Sequence, residues 1–149
     1  RDPLWSRGLG DVYKRQELRR GQKAKKYPHA VMDFGAEEIE FYTLNYPKSR
    51  GLEWEIKAIR QALAPELAAV QACMPEHILF LDASESVLHA RKTGDTTRSR
   101  EFFAYYLNHL LPLKREWFRE KKNVTFLSTD GLTARQVGEK AKHWCEQYI

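Results

Sequence analysis

The chain has 149 residues, 42% of them hydrophobic and 30% charged, a length and mixture typical of one globular domain with a buried core. No apolar stretch approaches the roughly 20 residues of a membrane-spanning helix, and the N-terminus lacks a secretion-signal pattern, so we expect a cytoplasmic protein that does not enter a membrane. Cys73 and Cys145 have no CxxC spacing and no histidine at ligand spacing, which argues against a disulfide framework or a zinc site.

The net charge of +5 is concentrated at the N-terminal end. Residues 1–26 hold 9 Lys and Arg against 3 Asp and Glu, whereas residues 27–149 hold 16 against 17. The basic run RRGQKAKK has no interleaved aromatic side chains, so it favours only non-specific attraction to nucleic acid. We therefore do not expect nucleic acid as the partner.

Residues 1–16, RDPLWSRGLGDVYKRQ, show no hydrophobic period, and GDVYKRQ resembles a translated adapter read-through at the end of an assembled sequence. We interpret 1–16 as a non-native or disordered leader and 17–149 as a single α/β domain. On this interpretation the gene extends upstream of Glu17 and the chain is a fragment. A natural disordered tail is the alternative.

The first predicted element after the leader is a basic helix end that stops at Gly21. HAVMD, residues 29–33, predicts a brief strand that ends in Asp33. A helix is predicted from there to the residue before Pro47. Two further helical stretches flank Pro65, and we expect their inner side to consist of Trp54, Ile59, Leu63, Leu67 and Val70.

The second half of the chain holds two stronger strand signals. The apolar run Ile78–Leu81 predicts a buried parallel strand, and NVTFLSTD predicts another. Between them, Ser84 is predicted to cap one helix, and amphipathic helices follow. The last helix opens with a capping box formed by Thr133 and Gln136. Strands that alternate with helices predict an α/β fold with a three-layer, mostly parallel sheet.

Polar residues follow each predicted strand, where ligands of open α/β sheets bind. Asp33 could hold magnesium through water or accept a proton from an attacking hydroxyl, and a turn or helix cap is the alternative. Asp82 is expected to cap the following helix rather than to take part in chemistry.

A basic cluster follows the strand at Ile78. Arg91, Asp95 and Arg98 would share one helix face if Gly94 does not break the helix, and Asp95 would then hold an arginine in place. Guanidinium groups bind phosphate oxygens in bidentate geometry, so the cluster favours a phosphate clamp. A solvated surface with ion pairs is the alternative.

The ordered segments VMDFG, ILFLDASESVLHARKTGDTTRSR and VTFLSTDGLTARQVGEKAKHW resemble P-loop nucleoside and nucleotide kinases of the thymidylate-kinase and deoxynucleoside-kinase kind. The resemblance covers about residues 17–149. It implies a lid over about 91–101 whose arginines close over ATP, namely Arg91, Arg98 and Arg100. It also implies a loop that passes the adenine ring, formed by Ser128, Thr129, Asp130 and Gly131.

Asp33 matches the acidic residue of that family's Asp/Glu-Arg motif, although Phe34 stands where the arginine belongs. The resemblance also implies an acceptor pocket bordered by Glu37, Glu38, Tyr42 and Tyr46. Core packing for the tyrosines and solvent exposure for the glutamates is the alternative for these residues.

No GxxxxGK[ST] motif, which would supply the phosphate cradle, occurs in the chain. The resemblance therefore predicts an ATP-dependent phosphotransferase whose ATP and Mg²⁺ bind in the intact parent protein, while the fragment alone is inactive and marginally stable. The acceptor would be a small molecule, such as a nucleoside, and the parent could be a homodimer. A P-loop kinase or ATPase for another acceptor, or a non-catalytic α/β interaction module, remain alternatives.

Overall fold

The computed structural model describes residues 9–95 and 100–149, with side chains described for 15–95 and 102–149. The chain divides into two compact units, the first ending at Pro75 and the second spanning Glu76–Ile149. Helices and a two-stranded parallel sheet make up the described residues, so the α/β class is confirmed. The predicted single domain over 17–149 stays a prediction.

The first unit is helical in its described part. Its core joins α2 and α4 through the buried residues Ala36, Ile39 and Val70, with Leu18 of α1 packed against them. Its helices are α1 (Leu9–Ala24), α2 (Ala36–Ser49), α3 (Ile56–Ala62) and α4 (Ala64–Gln71). The predicted pair of helices around Pro65 is confirmed, with Pro65 in the first turn of α4. Trp54, predicted to face inward, is instead 62% exposed.

The predicted helix stop at Gly21 is wrong, because α1 continues through it to Ala24. A Cβ atom at Gly21 would lie 3.0 Å from the Cβ atom of Cys73. The Cys73 thiol also donates to the Leu18 carbonyl, at 3.8 Å. This glycine therefore permits close packing of α1 on the segment that follows α4, rather than ending a helix.

The strand predicted for residues 29–33 is also wrong. These residues form bends and irregular backbone, and Val31 is 81% exposed. A strand depends on hydrogen bonds to a neighbouring strand, and the described sheet contains only Ile78–Asp82 and Val124–Ser128. The short apolar run has no such partner among the described residues.

The end of α2 lies beyond Pro47, which the sequence prediction placed outside the helix. The Gly51 N–H donates to the Lys48 carbonyl and the Leu52 N–H to the Pro47 carbonyl, both at 3.0 Å. Gly51 has a φ of +76°. This is a Schellman motif: α2 ends at Ser49, and the left-handed Gly51 two residues further on terminates it.

The second unit contains the sheet. Strand β1 (Ile78–Asp82) pairs in parallel with β2 (Val124–Ser128), from Ile78 opposite Val124 to Asp82 opposite Ser128, which confirms both predicted strands and their direction. The predicted burial of β1 is wrong for Leu81, which is 51% exposed, whereas Phe80 is buried. The helical elements of this unit are α5 (Glu85–Thr93), α6 (Arg100–Tyr105), a π-helical turn (Tyr106–Leu110), α7 (Leu111–Arg119) and α8 (Ala134–Glu146).

Aromatic side chains fix α7 against the sheet. Phe80 of β1 stacks on Phe126 of β2 with ring centroids 4.6 Å apart, and it lies 5.6 Å from the ring of Phe118 in α7. Phe118 is 1% exposed, so its burial contributes about 2 kcal/mol. This packing holds the C-terminal half of α7 beside the carboxyl ends of both strands.

The capping box of α8 is confirmed: the Gln136 N–H donates to the Thr133 hydroxyl, and the Gln136 side chain accepts from the Thr133 N–H. Across the described ranges, no helix has the length and apolar character needed to cross a membrane.

Candidate functional site

The in-register ends of β1 and β2 bring residues 82–84 and 128–131 side by side. The Thr129 N–H donates to the Asp82 carbonyl at 2.8 Å, and the Thr129 hydroxyl donates to the same oxygen at 2.9 Å. Thr129 is 5% exposed, so these bonds form away from solvent. The two strand ends are thereby fixed together beyond the last sheet pair.

Arg91 of α5 binds this junction through two donors. Its Nη1 donates to the Thr129 hydroxyl at 2.8 Å and its Nη2 to the Thr129 carbonyl at 2.9 Å. The structure thus brings together two residues that the sequence assigned separately, Arg91 to the lid and Thr129 to the nucleotide loop. Arg91 as a whole remains exposed, with its other N–H groups available to a ligand.

A second contact between the strand ends joins Asp130 to the start of α5. The backbone N–H of Ser84 donates to Asp130 Oδ1 at 2.8 Å. That hydrogen bond, followed by the Ser84 hydroxyl and the charges of Arg91 and Arg115, lowers the pKa of Asp130. Ser84 is the N-cap residue, as predicted, although its side chain makes no capping hydrogen bond.

Arg115 of α7 was missed by the sequence reasoning. Its Nε lies 3.1 Å from both carboxylate oxygens of Asp82, and its Nη2 donates to Asp82 Oδ1 at 2.8 Å and to the Ala83 carbonyl at 2.7 Å. The Asp82 carboxylate was expected to cap the following helix, but it instead forms a bidentate ion pair with Arg115. The available signal was the spacing of Leu111, Arg115 and Phe118, which places an arginine on the buried face of α7.

A pocket of about 460 Å³ opens beside these contacts. This volume lies within the range of small-molecule sites, roughly 300–1,000 Å³. Its lining residues come from both strand ends and α7: Asp82, Ala83, Ser84, Arg115, Arg119, Phe126 and Ser128.

The predicted lid is described only in part. Arg98 lies outside the described residues, and for Arg100 only its backbone position at the start of α6 is described. Helix α5 ends at Thr93 with Gly94 as its C-cap, so the helix face predicted to run through Asp95 is not formed. In the structure Arg91 is held by Thr129.

The predicted acceptor residues belong to the first unit, whereas Arg91 and residues 128–131 belong to the second. Asp33 is exposed and precedes Phe34, which has a φ of +43°. Glu37, Tyr42 and Tyr46 are half-buried on α2. Their predicted roles toward an acceptor stay predictions.

Both carboxylates at the strand ends of the second unit already have polar partners. In the part of the chain that is described, no group of three His, Cys, Asp or Glu side chains could hold a metal. The carboxylates of Asp82 and Asp130 are engaged by Arg115 and by the Ser84 N–H. The predicted binding of ATP and Mg²⁺ by the intact parent protein stays a prediction.

Comparisons with protein-family models, curated proteins and solved structures found no match to this chain. Its function is accordingly inferred from its own residues and their geometry.

Proposed function

We propose that the second unit is the ATP-binding portion of an ATP-dependent phosphotransferase with a P-loop-like, three-layer parent fold. Its acceptor would be a small molecule such as a nucleoside. The observation that carries the proposal is the pair of hydrogen bonds from Arg91 to Thr129, beyond the carboxyl ends of two parallel strands.

The position of Arg91 suits a nucleotide phosphate. Parallel α/β sheets bind ligands beyond the carboxyl ends of their strands, and a guanidinium stays charged at physiological pH. The Arg91 guanidinium donates one hydrogen from Nη1 and one from Nη2 to Thr129. Its Nε–H and the second hydrogen of each Nη atom therefore remain available to a ligand. An arginine oriented in this way can stabilise charge on a phosphoryl group without first losing side-chain freedom.

The other roles follow the sequence resemblance. Arg98 and Arg100 would add positive charge to the lid, and residues 128–131 would border the adenine ring. Asp33 would serve the metal ion or the acceptor. The chain has no GxxxxGK[ST] motif, so the full ATP site belongs to the intact parent protein. In this chain we expect only weaker ATP binding, through Arg91 and residues 128–131, and no turnover.

Isothermal titration of the full chain with ATP, and with adenosine as the phosphate-free control, tests the proposal. We expect ATP to bind more tightly than adenosine, and Arg91→Ala to weaken ATP binding roughly tenfold, the effect of losing a charge-assisted hydrogen bond. Lys142→Ala is the charge-matched control, since Lys142 is 78% exposed on α8. Circular dichroism checks the fold of each variant.

ATP binding that is absent, or that is unchanged in Arg91→Ala, would refute the nucleotide site. An interaction module without such a site predicts that outcome. Arg91→Lys refines the test, because lysine keeps the charge but cannot bind Thr129 and a phosphate through one planar group.

A further inference from the structure

The pocket beside the strand ends carries two guanidinium groups that the proposed ATP site does not use, those of Arg115 and Arg119. We propose that this pocket binds the phosphate group of a small phosphate monoester. The inference goes beyond the proposed function, because it stands on Arg115, Arg119 and Phe126 rather than on Arg91 and the lid. Ser128 is the lining residue that it shares with the proposed nucleotide loop.

Arg115 is a pre-oriented donor. Its Nε and Nη2 are committed to the Asp82 carboxylate and to the Ala83 carbonyl. Among the described residues its Nη1 has no hydrogen-bond partner, which leaves two N–H groups for a ligand. Since the ion pair fixes the plane of the guanidinium, these donors are held in place before any ligand arrives.

Arg119 supplies the second cation. Its Cζ atom lies 5.7 Å from the centroid of the Phe126 ring, in cation–π contact. Phe126 is itself stacked on Phe80. Within the described part of the chain, the Arg119 guanidinium makes no hydrogen bond or ion pair, so its N–H groups remain available at the pocket wall.

The remaining polar groups fit a phosphate better than a carboxylate. The hydroxyls of Ser84 and Ser128 also line the pocket, and Asp82 is its one lining carboxylate among the described residues. Two arginines against one aspartate give the lining a net positive charge. A phosphate monoester carries close to two negative charges and three acceptor oxygens, which match two guanidinium groups and two hydroxyls.

The volume of the pocket favours a phosphate ester over a free phosphate ion as the ligand. At about 460 Å³ it is far larger than a phosphate ion, so a sugar-sized group can accompany the phosphate. Ribose 5-phosphate is a suitable probe, ribose tests the need for phosphate, and glutarate tests discrimination against a dicarboxylate of similar charge.

The test is isothermal titration of the full chain with these three probes at constant ionic strength. We expect ribose 5-phosphate to bind, ribose not to bind, and glutarate to bind at least tenfold more weakly than ribose 5-phosphate. Arg119→Ala should weaken ribose 5-phosphate binding roughly tenfold. Lys142→Ala should leave it unchanged, and because Arg119 is exposed at the end of α7, its removal should not disturb the fold.

Absent ribose 5-phosphate binding, equal binding by Arg119→Ala, or equal affinity for glutarate would each overturn the proposal. The two titrations test the ATP site and this pocket independently. Loss of the ATP signal with retained ribose 5-phosphate binding would refute the proposed function alone, whereas the reverse would refute only this pocket.

Discussion

The ion pair between Asp82 and Arg115 is expected to stabilise the second unit measurably. Arg115→Met keeps most of the aliphatic volume but removes the hydrogen bonds to both Asp82 oxygens and to the Ala83 carbonyl. The Asp82 side chain is only 23% exposed and would retain one intramolecular donor, the Ala83 N–H at 2.8 Å. Leaving a largely buried carboxylate short of partners should lower the free energy of unfolding by about 2–3 kcal/mol.

A double-mutant cycle isolates the pair from other effects of the substitutions. We expect a coupling free energy of at least about 1 kcal/mol between Arg115→Met and Asp82→Asn. The matched control is the pair Arg135–Glu139, whose side chains are 89% and 66% exposed, and for which we expect at most about 0.5 kcal/mol.

The assay for this cycle must report on the second unit by itself, because two compact units need not unfold in one transition. Hydrogen exchange at the amides of β1, followed across a urea series on the full chain, provides that signal. Equal coupling in the two pairs would refute the reasoning, since it would mean that burial of Asp82 and Arg115 adds nothing to their attraction.

Three further outcomes are expected from the loop and cap that follow β2. Thr133→Ala should cost about 1 kcal/mol of unfolding free energy, measured by the same β1 hydrogen exchange in urea, because it leaves the Gln136 N–H without its cap; retention of full stability would contradict this. Gly131→Ala should cost about 1 kcal/mol in that assay through its φ of +70° alone, since a Cβ there meets nothing within 4 Å, and an unchanged unfolding free energy would contradict this. Because the Ser84 N–H lowers the pKa of Asp130, ionised Asp130 should stabilise the fold above the ordinary value of 3.8 and lose that effect as pH falls through the lowered pKa. Acid unfolding followed by circular dichroism should therefore show a steeper loss in the native chain than in Asp130→Asn, and superimposable curves would contradict it.

The features predicted correctly from the sequence are those set by local pattern. The continuous apolar run at Ile78 and the β-branched and aromatic run at Val124 form the paired strands. Pro65 begins a helix because its missing N–H does no harm there, and Thr133 with Gln136 forms the capping box. Each of these signals involves residues that lie close together in the chain.

The errors arose where a distant partner decides the local structure. Val31 belongs to an apolar run, yet a strand needs hydrogen bonds from a second strand. Gly21 has the residue type of a helix end, but the nearby Cys73 Cβ explains why glycine is needed inside α1. The end of α2 is an error of a different, local kind: the helix was predicted to stop before Pro47, whereas the left-handed Gly51 terminates it.

Two residues that the resemblance assigned to different parts of the candidate site lie in contact. It placed Arg91 in a lid and Ser128–Gly131 in a nucleotide loop, and the structure joins Arg91 to Thr129. The role of Arg115 could not follow from strand ends, since it comes from α7, where the sequence reasoning followed only apolar spacing. A charged residue among buried positions of a helix indicates a buried partner, which here is Asp82.

Arginines from two helices converge on carbonyls at this edge of the sheet. The carbonyls of Ala83 and Thr129 lie just past the last sheet pair, and Arg115 and Arg91 donate to these two oxygens. The Thr129 carbonyl also accepts from the Leu132 N–H at 3.2 Å, so Arg91 adds a second donor to it. Part of each guanidinium is therefore structural, and only its remaining N–H groups can serve a ligand. Substitution of Arg91 or Arg115 is therefore expected to reduce both stability and ligand binding. Arg119 donates to no carbonyl among the described residues, so at this position ligand binding can be measured separately from folding.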